Sequence, residues 1–252
     1  MEDLTDLFLE LAHGDRLRAL FLIEKERLKL TGISETLNLS MPETSRHLSR
    51  LRDAKLIRKD VDGFYYLTPY GRITLHLLHG YSFIHKNRDY FQDHEPSLLP
   101  SEFIARIGEL EEHKSGEGVM QILHLAVVVM EEAKKYVWIL ADQVMTSIIP
   151  MIREGYVKGV RFRVLLPKQL TLPSGFQLTE PSPTSPIEIR WLREVRVCIV
   201  MNETLAGLCL PNSAGKIDYS IGFAGRDLKF HKWCRDVFMH YWRRGKESPI
   251  EK

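Results

Sequence analysis

The sequence predicts an α+β chain, in which a small helical unit carrying a two-stranded ribbon precedes an α/β unit built on a mixed sheet. Three features point there. Ser40 stands three residues before Glu43, with Pro42 between them, which marks a helix start. An Asp62-Gly63 turn separates two alternating stretches, and from Tyr136 onward strands alternate with a helix. With 252 residues, more than one domain is the default. The expected divisions are residues 1–70, a helical dimerisation or linker segment at 71–117, and an α/β domain at 118–246.

Leu4, Leu7, Phe8 and Leu11 recur at the spacing of an amphipathic helix, which His13-Gly14 ends. Asp15 can cap the next helix, whose apolar face is Leu17, Leu20, Phe21 and Ile23. A short third helix at 34–37 closes on Asn38-Leu39. The fourth starts at Ser40. Its inward row is Thr44, Leu48, Leu51 and Ala54, leaving Glu43, Ser45, Arg46, Ser49, Arg50 and Arg52 outside. Stretches 56–59 and 64–67 then form the strands of a wing. Two short helices, a tight turn and such a ribbon outline a winged helix-turn-helix, whose second helix enters the major groove of DNA. Thr68-Pro69 opens another helix. Ile73, Leu75, Leu77, Leu78, Tyr81, Phe83 and Ile84 make it apolar on more than one side, so a partner subunit is expected over it.

The stretch 89–100, polar and holding two prolines, reads as a linker. Phe103, Ile107 and Leu110 suggest a short helix, and Gly116-Glu117-Gly118 interrupts before an apolar helix at 119–135. Strand 136–141, helix 144–158 and strand 160–166 make a β-α-β unit. The Pro-, Ser- and Thr-rich 173–186 is expected as a surface excursion. Strands at 187–192, 195–201, 205–210 and 218–223 follow in hairpin succession, then a last helix at 226–243.

Composition narrows the function. Hydrophobic residues at 44% and charged residues at 27% fit a soluble globular protein, and no run nears the roughly 18 to 20 apolar residues of a membrane span. Glu2, Asp3 and Asp6 do not resemble a secretory start, so a cytoplasmic location with no membrane partner is expected. The net charge of +2 gives no general attraction to nucleic acid. Locally, residues 40–59 hold Arg46, Arg50, Arg52, Lys55, Arg58 and Lys59 against Glu43 and Asp53, a directed basic patch. Cys198, Cys209 and Cys234 form no Cys-x-x-Cys pair and read as buried thiols. His47 has no cysteine in its half of the chain, and His76, His79 and His85 lack carboxylates at ligand spacing, so no metal is expected. Gly-x-Ser-x-Gly and Walker loops are missing, and neither a catalytic residue nor a cofactor is assigned.

The candidate contacts to double-stranded DNA are Ser45, Arg46, Ser49, Arg50, Lys55, Arg58, Lys59 and Tyr65. Arginine can grip guanine bidentately, and serine and lysine hold phosphates. Tyr65 and Tyr66 alternate faces, so one of them belongs in the core. For a small-molecule effector the candidates are Trp138, Asp142 and Gln143, at a strand end where open α/β sheets accept ligands. Arg190 and Arg196 join them from later strands, with Trp191 and Asn202 nearby in sequence. Such a set would suit an anionic or polar metabolite.

The SRHLSRL run from Ser45, with its strand and Asp-Gly wing, resembles the arsenic-repressor-like winged helix. The rest is similar to archaeal transcriptional regulators of the methanogenesis-regulatory type. The similarity rests on HKNRDYFQDH from His85, LLPSEFIARIGEL from Leu98, GVRFRVLLP from Gly159, and the run from Asp218 to Gly245. The resemblance implies a dimeric, sequence-specific DNA-binding regulator whose second domain receives a signal. That domain also resembles the phospholipase-D-like scaffold of archaeal sugar-sensing regulators. Cleavage there needs His-x-Lys, and His85, His113 and His231 are each followed immediately by lysine instead. The scaffold is thus expected to bind and not cut. The competing readings are a winged-helix protein-interaction module and, more remotely, a phosphodiesterase-like enzyme.

Overall fold

The computed structural model describes residues 2–170 and 187–247, and the expected excursion at 173–186 lies outside them. The chain divides into two compact units, Met1–Tyr81 and Ser82–Lys252.

The first unit runs α1 (Glu2–Leu11), α2 (Gly14–Lys25), β1 (Leu28–Lys29), α3 (Leu30–Leu37), α4 (Met41–Asp53), β2 (Ile57–Lys59), β3 (Phe64–Leu67) and the start of α5 (Pro69–Lys86). Its core gathers Leu20 and Ile23 of α2, Ile33 of α3, Leu48 and Leu51 of α4, and Ile57, Tyr65 and Leu67 of the ribbon. The turn from α3 to α4 uses Asn38 at φ 55, with the Leu39 amide donating to the Ser34 carbonyl at 3.0 Å. Three expectations are corrected. Asp15 is no cap: His13 holds that position, and Asp15 sits in the first turn of α2. Helix α3 begins four residues earlier than its sequence suggests. The ribbon has a third strand, in the order β1-β3-β2.

The second unit holds α6 (Tyr90–Asp93), α7 (Ser101–Ile104), β4 (Lys114–Glu117), α8 (Val119–Glu132), β5 (Tyr136–Leu140), α9 (Ile149–Val157), β6 (Arg161–Pro167), β7 (Ile187–Leu192), β8 (Cys198–Met201), β9 (Ala206–Cys209), β10 (Ile221–Gly225) and α10 (Leu228–Trp242). Its sheet has the order β4-β10-β9-β8-β5-β6-β7, with β5, β6 and β7 parallel and the other pairs antiparallel. This is the mixed sheet the sequence implies. Alternate side chains build two cores. Val137, Ile139, Phe162, Val164 and Val200 meet α8 and α9, while Leu140, Leu165, Ile199 and Met201 meet Phe230, Trp233 and Phe238 of α10. The stretch read as a linker is part of this unit, because Tyr90 and Leu99 are buried with Phe103, Ile107 and Leu110 in the α10 core. Among the described residues no helix is long and apolar enough to cross a membrane.

Candidate nucleic-acid interface and effector pocket

Helix α4 is fixed at its start by a reciprocal cap. The Ser40 hydroxyl donates to Glu43 Oε2 at 2.7 Å and the Ser40 amide donates to the same oxygen at 3.2 Å, while the Glu43 amide donates back to Ser40 Oγ at 3.4 Å. The Ser40 hydroxyl and amide hold the Glu43 carboxyl below the usual range. Thr44, His47, Leu48 and Leu51 are buried. At 100° per residue, Arg46 and Ser49 therefore lie nearly opposite the core, with Ser45 and Arg52 on one flank and Arg50 on the other. Among the described residues Arg46 forms no ion pair or side-chain hydrogen bond, whereas Arg52 reaches Ser49 Oγ at 3.5 Å.

Arg50 is committed elsewhere. Its Nε donates to Glu10 Oε2 at 3.1 Å and its Nη2 donates to Oε1. Glu10 is only 9% exposed, and Arg16 faces it at 3.2 Å. Chiefly through the Arg50 hydrogen bond, the Glu10 carboxyl titrates below its ordinary value. Arg50 thus ties α4 to α1 on the flank of the outward row, with its side chain still 58% exposed.

The wing turn is closed by Asp60, whose Oδ1 accepts from the amides of Asp62 at 3.1 Å and Phe64 at 2.8 Å, with Gly63 at φ 89. Register sorts its side chains. Arg58 opposes Tyr66 and Lys29 opposes Phe64, so these four share the outer face, while Ile57, Leu67, Tyr65 and Leu28 share the inner one. Tyr65, at 7% exposed, belongs to the core, which corrects its assignment as a DNA contact. Tyr66 is the half-buried tyrosine on the outer face. Arg27 lies over its ring at 5.2 Å and Lys29 over Phe64 at 4.8 Å. Lys59 folds over Tyr65 at 5.6 Å, and Lys55 is exposed at φ 60. Arg27 and Lys29 were missed in sequence, because β1 is two residues long and shows no alternation. Among the described residues, one set of metal-type ligand atoms, on His13, Asp15 and His47, lies mutually within 4.8 Å. Asp15 there also pairs with Arg18 at 3.2 Å.

In the second unit the expected effector residues do not come together. Trp138 stacks on Phe238 at 4.9 Å, and Arg163 lies over both Trp138 and Trp242. Arg190 lies 4.6 Å from the Trp242 ring and donates to the Trp242 carbonyl at 2.9 Å. These groups fasten α10 to the sheet. Arg196 is partly exposed and pairs with Glu194 at 2.9 Å. Asn202 is fully buried, donating to the Val129 carbonyl and accepting from the Thr204 and Leu205 amides. On the other sheet face a cavity of about 360 Å³ opens between α8, the 143–148 segment, α9 and strands β5, β6, β8 and β9. Gln143 lines it, and Tyr219, another lining residue, donates to Asp142 Oδ1 at 2.6 Å.

Residues 13–59 match the family model described as bacterial regulatory protein, arsR family, from the α2 start to the end of β2. The solved structure of TrmBL2, an archaeal chromatin protein described as showing a novel mode of DNA binding, is 14% identical. It covers 94% of this chain and 94% of its own, with a TM-score of 0.47. Reduced HlyU from Vibrio cholerae N16961 is 29% identical over 31% of this chain and 86% of its own, with a TM-score of 0.28. No curated protein matches the chain. The family match supports a DNA-binding transcription regulator.

Proposed function

We propose that this chain is a transcription regulator that binds duplex DNA as a homodimer and carries a non-catalytic effector-sensing second unit, in the manner of the archaeal regulators it resembles. The observation that carries this reading is the row of Ser45, Arg46 and Ser49 on the far side of a capped helix, inside the stretch that matches the arsR-type model. Such a row meets base edges and phosphates when the helix enters the major groove. The outer wing face adds Arg27, Lys29 and Arg58 around Phe64 and Tyr66, which suits the sugar-phosphate backbone. Asn38 at φ 55 and the Ser40 cap hold the helix ready without DNA.

The test is a titration of the full chain with the duplex upstream of its own coding region against a scrambled duplex, at two salt concentrations. A regulator prefers its own site by about 10³-fold or more, and the preference persists as salt weakens both. Equal affinity for the two duplexes would leave the interaction-module reading in its place.

A further inference from the structure

We propose that the cavity between α8 and the sheet binds an uncharged, largely apolar small molecule, and not the anionic or polar metabolite that Arg190 and Arg196 suggested. For its regulatory consequence this rests on the sensing role proposed above; for binding it does not. Walls stand on three sides: Ala126 of α8, Met145 and Ile148 of the segment after β5, and Ile139, Val164 and Val200 of the sheet. The site therefore encloses a ligand, unlike an open apolar face. A volume of about 360 Å³ falls in the range of roughly 300 to 1,000 Å³ typical of small-molecule sites.

Charge decides the class. None of the twenty lining residues is Asp, Glu, Lys, Arg or His. An ionised ligand would lose its hydration with no partner to replace it, whereas an apolar one releases ordered water and fills space that holds little water otherwise. Polar atoms are confined to one end, where exposed Gln143 stands beside Tyr219 and its acceptor Asp142. That end lies past the last residues of β5, at the carboxyl edge of the parallel strands where α/β sheets take ligands. An anionic head group there would meet the Asp142 carboxylate. Gly207 shapes the far wall, since a Cβ there would come within 2.5 Å of Leu125 Cδ2.

The probe is N-phenyl-1-naphthylamine, neutral and apolar, titrated into the full chain without DNA. Saturable binding at one site per chain is expected, with a sulfonated naphthylamine at least tenfold weaker. Cys198 and Cys209 both line the cavity, and Cys198 is partly exposed, so a saturating amount of probe should slow alkylation of Cys198 by N-ethylmaleimide several-fold, read by mass spectrometry. Ala126→Phe, which fills the space, should lower probe affinity at least tenfold without lowering the melting temperature. Leu228→Ser, at the exposed start of α10 and outside the cavity lining, should leave binding unchanged. Unprotected Cys198, or equal affinity for the sulfonated dye, overturns the site, and the alkylation arm needs no variant to fold. Probe binding that leaves duplex affinity unaltered keeps the site and overturns the sensing role.

Discussion

Arg46 and Arg50 are one helical turn apart and each follows a serine, yet the fold gives them different work. Arg46 projects from the middle of the outward row, and Arg46→Ala should weaken binding of the specific duplex by about 1–3 kcal/mol in a fluorescence-anisotropy titration. Arg50 is held by Glu10, so Arg50→Gln should lower the midpoint of urea unfolding at pH 7, because the nearly buried Glu10 carboxylate loses a charged partner. The sign with pH follows from the carboxyl. Its folded value lies below its unfolded value of about 4.3, so the pair stabilises fully above that pH and fades as pH falls through the folded value. Denaturation curves of wild type and Arg50→Gln should converge under acid; curves that stay apart at pH 2 would mean Glu10 is not what Arg50 supports. Asn202 is a second case where burial decides. Asn202→Leu strands the Val129 carbonyl and two amides, and a loss of about 3 kcal/mol in urea unfolding is expected.

Elements with strong local signals are legible in the sequence. The Ser40–Glu43 cap, the leucine row of α4 and the glycine in the wing turn each specify their own conformation within a few residues, and all three appear where expected. Strands β1 and β4 are different. They are short, lack alternation, and exist through pairing with β3 and β10, partners far away in sequence. The candidate site divides the same way: the outward row of α4 follows from periodicity, but the Arg50–Glu10 tie, the inward turn of Tyr65 and the apolar cavity depend on contacts that no local pattern records. Gly71 shows such a contact at the junction of wing and α5. Its amide donates to Thr68 Oγ1 at 2.9 Å, and a Cβ would stand 2.0 Å from the Leu56 carbonyl oxygen. Gly71→Ala must push α5 off the wing, with an expected cost of about 1–3 kcal/mol in thermal unfolding. Ser40→Ala, which removes only the cap, should cost about 1 kcal/mol.

A reader of two half-sites needs two copies of α4 at a fixed spacing, and the first unit has a surface that could set it. Ile73, Leu77 and Tyr81 recur every fourth residue along α5 and are 64%, 58% and 65% exposed, while Leu75 on the same helix is fully buried. Leu4, Phe8 and Leu9 add exposed apolar surface on α1 of the same unit. Water contact over so many large side chains is unfavourable by roughly 25 cal/mol per Å² of apolar area, and a two-fold related copy would cover the same stripe on each side. Leu77→Glu places a charge in the middle of that stripe. In sedimentation velocity at micromolar concentration the wild type should run as a dimer and Leu77→Glu as a monomer. The variant should keep its circular dichroism, because Leu77 makes no contribution to the buried core. Its affinity for a duplex with two half-sites should fall at least tenfold, since the second contact no longer benefits from being tethered to the first. Arg46→Ala should show the opposite pairing, a normal dimer with weak DNA binding. A Leu77→Glu protein that still sediments as a dimer would move the interface off α5 and leave the spacing of the two recognition helices to some other surface.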